Sequence, residues 1–123
     1  MNLNELFRQQ GLGIMATASK DGCVNTAVYA RPHVMDEQTM VWGMTEGRTY
    51  RNITENPRAS FLFKVSCPGF SGVRLALELV KTEESGPLLE KIKEIAETTV
   101  GPGTGAAVTH AVWFTVTEVR SLI

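Results

Sequence analysis

The sequence predicts a mainly β fold with inserted helices, in which six antiparallel strands form a closed or split barrel. Three observations predict it. Several short segments alternate apolar and polar residues at period two, the spacing of a strand with one buried face. The first three such segments are joined by tight turns, too short for the crossover helices that a parallel sheet requires. The helical patterns fall only before the first strand and between the later ones, whereas a doubly wound fold would alternate helix and strand throughout.

The elements follow in order. NELFRQQG reads as a short helix: Asn2 can cap it with Glu5 three residues on, Leu3, Leu6 and Phe7 share a face, and Gly11 can end it. GIMATAS is a strand that runs into the turn signal SKDG. CVNTAVYA returns as the second arm of a hairpin, with Val24, Thr26, Val28 and Ala30 on one face. Pro32 then demotes the strand or marks a bend. DEQ, residues 36–38, is a second turn, and TMVWGM is the third strand. In TEGRTYRNITENP, Tyr50 and Ile53 are spaced for one helical face and Asn56-Pro57 is a stop. ASFLFKV is a strand, SCPGFSG a loop, and VRLALELVKTEE a long strand with Val73, Leu75, Leu77 and Leu79 on one face. GPLLEKIKEIAET is the strongest helix, with Pro87 in its first turn and an apolar stripe of Leu88, Ile92, Ile95 and Ala96. GPGTG is a flexible loop and HAVWFTVTEVRS the closing strand.

Composition narrows the function classes. A length of 123 residues is that of one domain, spanning 1–123. Twelve Lys and Arg against 13 Asp and Glu give 12 − 13 = −1, without the basic excess of a nucleic-acid or anionic-membrane binder. No run of about 18 apolar residues is present, so no membrane-spanning helix is expected. The opening MNLNELFRQQG is polar and unlike a signal peptide. Two distant cysteines, Cys23 and Cys67, fit reduced thiols in a cytoplasmic protein. There is no CxxC or HExxH, His33 and His110 are isolated, and no metal site or Ser/His/Asp set is expected. A chain this short leaves little room for a deep pocket within one subunit.

Two segments can carry binding chemistry. In VWGMTEGRTYRNI, residues 41–53, a strand ends at Met44, a small-residue loop follows, and a helix begins near Gly47. The amides of a helix start are unpaired and carry the positive end of the dipole. Arg48 and Thr49 in that first turn would add a charged fork and a hydroxyl, which outlines a phosphate site. The same spacing also fits Thr45 as an N-cap beside a solvated Arg48. In VNTAVYARP, residues 24–32, Asn25, Thr26 and Tyr29 can hydrogen-bond the edge of a planar heteroaromatic ring, or they form an ordinary exposed strand. GPGTG lacks the ending of a phosphate-binding loop, and Trp42 and Trp113 fit core or dimer packing.

The order of these parts resembles the FMN-binding split-barrel family related to pyridoxamine 5′-phosphate oxidase, in particular its small FMN-binding and flavin reductase-like members. The resemblance runs from NELFRQQGLGIMATASKDGCVNTA to VWFTVTEVRSL and is most specific in GIMATASKDGCVNTAV and TMVWGMTEGRTYRNITENPRASFLF. It implies a six-stranded antiparallel split β-barrel that binds FMN. Arg48 and Thr49 correspond to the pair that holds the FMN phosphate. Asn25, Thr26, Ala27 and Val28 correspond to the strand lining the isoalloxazine ring. Trp42, Gly43, Met44 and Thr45 correspond to the strand end and loop whose backbone faces the ring edge and ribityl chain. The resemblance further implies a homodimer with FMN at the interface, to which Trp113 or Leu122 would contribute from the other subunit. The basic residues that hold the substrate phosphate in the oxidase itself are not found here, so that reaction is not expected. The function expected is a small flavin-dependent oxidoreductase or electron carrier. A deazaflavin-dependent reductase of the same fold and a cofactor-free small-barrel binding module are the alternatives.

Overall fold

The computed structural model describes residues 2–123. Helix α1 (Leu3–Leu6) leads into the hairpin β1 (Gly11–Ala18) and β2 (Val24–Tyr29), then β3 (His33–Val34) and β4 (Thr39–Met44). Helix α2 (Arg48–Glu55) precedes β5 (Arg58–Val65) and β6 (Gly72–Glu83). Helices α3 (Pro87–Thr99) and α4 (Thr104–Ala107) then lead to β7 (His110–Arg120). The strands form one curled antiparallel sheet in the order β2-β1-β5-β6-β7-β4-β3, a split half-barrel.

The sheet has seven strands rather than the six expected. The extra one is β3, which pairs His33 with Val41 and Val34 with Met40. β2 ends at Tyr29, before Pro32 is reached; the fixed φ of Pro32 still allows extended backbone, and the chain re-enters the sheet immediately after it. GPGTG is not wholly a loop, because Thr104–Ala107 forms the short α4. Glu97 holds this turn: its carboxylate accepts from Gly103 N and Gly105 N at 3.0 Å. Asn2 caps α1 as expected, accepting from Glu5 N at 3.2 Å, but Gly11 begins β1 instead of ending α1. The buried side of α3 is Leu89 and Ile92 with Leu88 half-buried, while Ile95 is exposed. The stripe is thus rotated by about one residue from the expected one.

Curling the sheet gives it an inner face that is the core. Met15, Met40, Trp42, Phe61, Phe63, Leu75, Val112 and Phe114 are buried there. The Trp42 ring lies 4.9 Å from Phe61 and 5.6 Å from Phe114, so β4 packs across the interior onto β5. Trp42 Nε1 donates to Ala30 O at 3.0 Å, satisfying the one polar atom of that ring and joining β4 to the end of β2. Phe7 packs on Phe63 near the start of β1, and Ile53 of α2 enters the core. A second cluster lies on the outer face, where Leu89 and Ile92 of α3 cover Val41 and Ala111. Gly43 permits this approach, since a Cβ there would stand 2.6 Å from Ile92 Cγ2.

Strand β2 keeps its expected alternation, but the apolar set points away from the core. Val24 and Val28 are 85% and 73% exposed, whereas Asn25, Ala27 and Tyr29 are half-buried. Val28 stands beside Ile14, which stands beside Leu62, giving an apolar row across β2, β1 and β5 on the outside.

Candidate functional site

The site is built where β4 ends. After Met44 the chain turns through Thr45, Glu46 and Gly47, closed by a 2.8 Å bond from Gly47 N to Thr45 O. Gly47 is the N-cap of α2, and no side chain caps the helix. Thr45 is therefore not the N-cap. The first turn of α2 holds no acidic residue, and Arg48 is its first member. A helix start in this state presents unpaired amides, the positive end of the dipole and a guanidinium together, which is what an anion requires.

Neighbouring elements fix that helix start. Thr49 is buried, and Asn25 Nδ2 reaches its hydroxyl oxygen at 3.4 Å from β2. Burial pushes the Tyr29 phenol up from its ordinary pKa, and the neighbouring Thr49 side chain partly offsets this. Farther along α2, Asn52 Nδ2 donates to the buried Thr17 hydroxyl of β1 at 3.1 Å. Its far end is held by Glu55, which accepts from Lys20 N in the β1–β2 turn at 3.2 Å.

Between β2 and the start of α2 lies an open cleft of about 420 Å³. Asn25, Thr26, Ala27 and Val28 line one side. Gly43, Thr45, Arg48 and Thr49 line the other. The fold thus brings together eight of the twelve residues expected from the sequence. Trp42 and Met44 are buried in the core, so only their backbone can face the cleft. Trp113 is on the outer face against the α3 cluster, where its Nε1 donates to Glu83 at 2.6 Å and Lys81 sits over its ring. Leu122 packs near Gly72 at the start of β6, within its own subunit. A larger groove of about 1090 Å³, lined in part by Asp36, Glu37 and Glu118, contains none of the expected residues.

The chain matches the family model described as pyridoxamine 5′-phosphate oxidase over residues 2–123. It belongs to the pyridoxamine 5′-phosphate oxidase family. Among solved structures it is similar to an FMN-binding protein from Syntrophomonas wolfei subsp. wolfei, at TM-score 0.84 and 17% identity, covering 99% of this chain and 84% of that one. It is similar to a putative pyridoxamine 5′-phosphate oxidase from Lactobacillus delbrueckii, at TM-score 0.71 and 20% identity, covering 98% and 90% of the two chains. An F420 reductase matches at TM-score 0.75 and 14% identity, covering 95% and 94%. At these identities the likeness is one of fold. No curated protein matches the chain.

In this member of the oxidase family, Tyr29 and Gly47 also line the cleft. The period-two pattern holds the signal for Tyr29, which shares a face with Asn25 and Ala27. A further group stands next to the cleft without lining it. His110 is buried at the start of β7, with Nε2 3.3 Å from Glu46 Oε1 and 3.3 Å from Glu84 Oε1. Its Nδ1 is 2.9 Å from Thr109 Oγ1, and the Tyr50 ring of α2 stacks on it with centroids 3.8 Å apart. Spacing along the chain gave no sign of this group, because its members come from four separate segments.

Proposed function

We propose that the chain is an FMN-binding flavoprotein, acting as a homodimer in redox chemistry either as a small oxidoreductase or as an electron carrier. The observation that carries the reading is the uncapped start of α2, with Arg48 and the buried Thr49 facing a cleft walled by β2. When bound, FMN would supply the hydride or electron transfer. The chain's own residues bind and orient it. The α2 amides and Arg48 hold the phosphate, Asn25 keeps the Thr49 hydroxyl in place, and the β2 backbone supports the ring. Arg48 and Tyr29 are the titratable side chains lining the cleft, so proton transfer by a carboxylate or imidazole is not part of the proposal.

The homodimer reading rests on two features. The cleft is open on one side, and Val24 and Val28 with the half-buried Ile14 and Leu62 form an exposed apolar face beside it. A second copy packed on that face would deepen the cleft without requiring a pocket inside either subunit. The free cysteines Cys23 and Cys67 fit a reducing, cytoplasmic setting. Among the described residues no helix is long and apolar enough to cross a membrane.

Titration with FMN and with riboflavin tests the reading. FMN is expected to bind more tightly, because riboflavin lacks the phosphate; equal affinity, or none, would overturn it. Oxidation of NAD(P)H with a small acceptor then separates enzyme from carrier. An enzyme turns over, while a carrier shows reversible flavin reduction with negligible turnover.

A further inference from the structure

We propose that the groove beside the end of β7 takes an extended, basic peptide segment of another protein, which adds itself as a strand to an open edge of β7. The proposal does not depend on the FMN reading. β7 outruns its neighbour on one side. Its residues up to Thr115 pair with β4, and Val116 N makes a last bond to Gln38 O at 2.7 Å. From Glu118 to Arg120 the strand pairs only with β6, and Thr117 is the extra residue of a bulge. Among the described residues no backbone bond from any other segment reaches this stretch. Such an edge is a row of amides and carbonyls able to pair with another extended chain. It lines a groove of about 1090 Å³, whose other walls are residues 2–4 and the β3–β4 turn. That turn lies on the β4 side of β7, so the edge facing the groove is the unpaired one.

Charge selects the occupant. Three carboxylates line the groove, on Asp36, Glu37 and Glu118, against the single guanidinium of Arg120. That guanidinium is already engaged, with Nε 3.4 Å from Glu118 Oε1. The Asp36 carboxylate accepts from Gln38 N at 2.8 Å, which fixes a negative charge on the turn. Between the acids stand apolar side chains, and Met35 and Val119 are exposed. A segment that alternates basic and apolar residues meets both, because successive side chains of a strand face opposite ways. The bulge and the charges on Glu118 and Arg120 blunt the edge against chance pairing with a neutral strand. A second copy of this chain fits less well. Its own β7 edge lies behind the same walls, and edge-to-edge pairing would bring two sets of these acids together.

The test is fluorescence anisotropy of a labelled peptide of about six residues, an ordinary strand length, that alternates valine and lysine. It should bind the purified protein, and binding should weaken between about 50 mM and 200 mM salt as the charge contacts are screened. Glu118→Lys and Glu37→Lys should each weaken it by about fivefold or more, the upper size of one cross-strand charge pair. Both side chains are exposed, so an unchanged denaturation midpoint should show that each variant folds. A peptide alternating valine and glutamate should not bind. N-methylation of the lysine peptide's backbone should abolish binding, because it removes the donors of the added strand. Absence of binding by the lysine peptide, equal binding by the glutamate peptide, or undiminished binding after N-methylation would each overturn the proposal. So would a solution mass that falls in Glu118→Lys while wild type takes up no peptide, since the edge would then pair with a second copy.

Discussion

Arg48 adds a charged fork at a helix start that already favours an anion. Replacing it with alanine should weaken FMN binding by about 1.5–3 kcal/mol, the range for a hydrogen bond to a charged group. Riboflavin affinity should hardly change, and calorimetric titration of both ligands separates the two effects. His33 concerns stability instead. Burial and, secondarily, the nearby Lys91 hold its imidazole below the ordinary value of 6.5. The folded state therefore binds its proton less readily than the unfolded chain. As pH falls below the unfolded value, the unfolded state takes up the proton first and folding stability is lost. Above that value the penalty is absent. Denaturant melts of wild type and His33→Gln between pH 5 and 7.5 should show the wild type losing stability more steeply toward acid.

Among the elements, α3 and α2 contrast in how they are held. The outer helix α3 depends on Gly43, where any side chain would collide with Ile92 and Val108. Gly43→Ala should cost about 1–3 kcal/mol through overpacking, read from the denaturation midpoint, with the core under the inner face undisturbed. Helix α2 is held by polar contacts from distant strands, Asn25 and Thr17 above all. The sequence made the elements themselves legible, since alternation, the SKDG turn and the Asn56-Pro57 stop are local signals. The errors were ones local signals cannot correct. β3 is only two residues long, too short for any period to register. The face of α3 was misplaced because Leu88 and Leu89 are both apolar, and only the position of Val41 and Ala111 on the sheet chooses between them. The eight residues brought to the cleft fall in two short stretches, 25–28 and 43–49; local pattern singles out Asn25, Thr26, Arg48 and Thr49, and the family resemblance adds Ala27, Val28, Gly43 and Thr45. The His110 group needs the fold, because Glu46, Glu84 and His110 meet only when β4, β6 and β7 lie side by side.

For the whole molecule, the apolar outer face raises the question of what covers it. Leu62 lies on that face but does not line the cleft. A homodimer built there should run in solution at about 27 kDa, twice the 13.5 kDa of one chain. Leu62→Glu would bury an unpaired charge in such an interface and should shift the mass toward 13.5 kDa, as read by light scattering. An unchanged mass would place the partner on another face. The chain's shortness, which argued against a deep pocket, is compatible with a cofactor site once two subunits share it.

The most direct measurement of the central claim is the absorbance of the purified protein before and after denaturation. The account predicts a yellow protein that releases FMN, one per chain, when unfolded, or a colourless one that takes up added FMN to the same ratio. A colourless protein that takes up no FMN would contradict it.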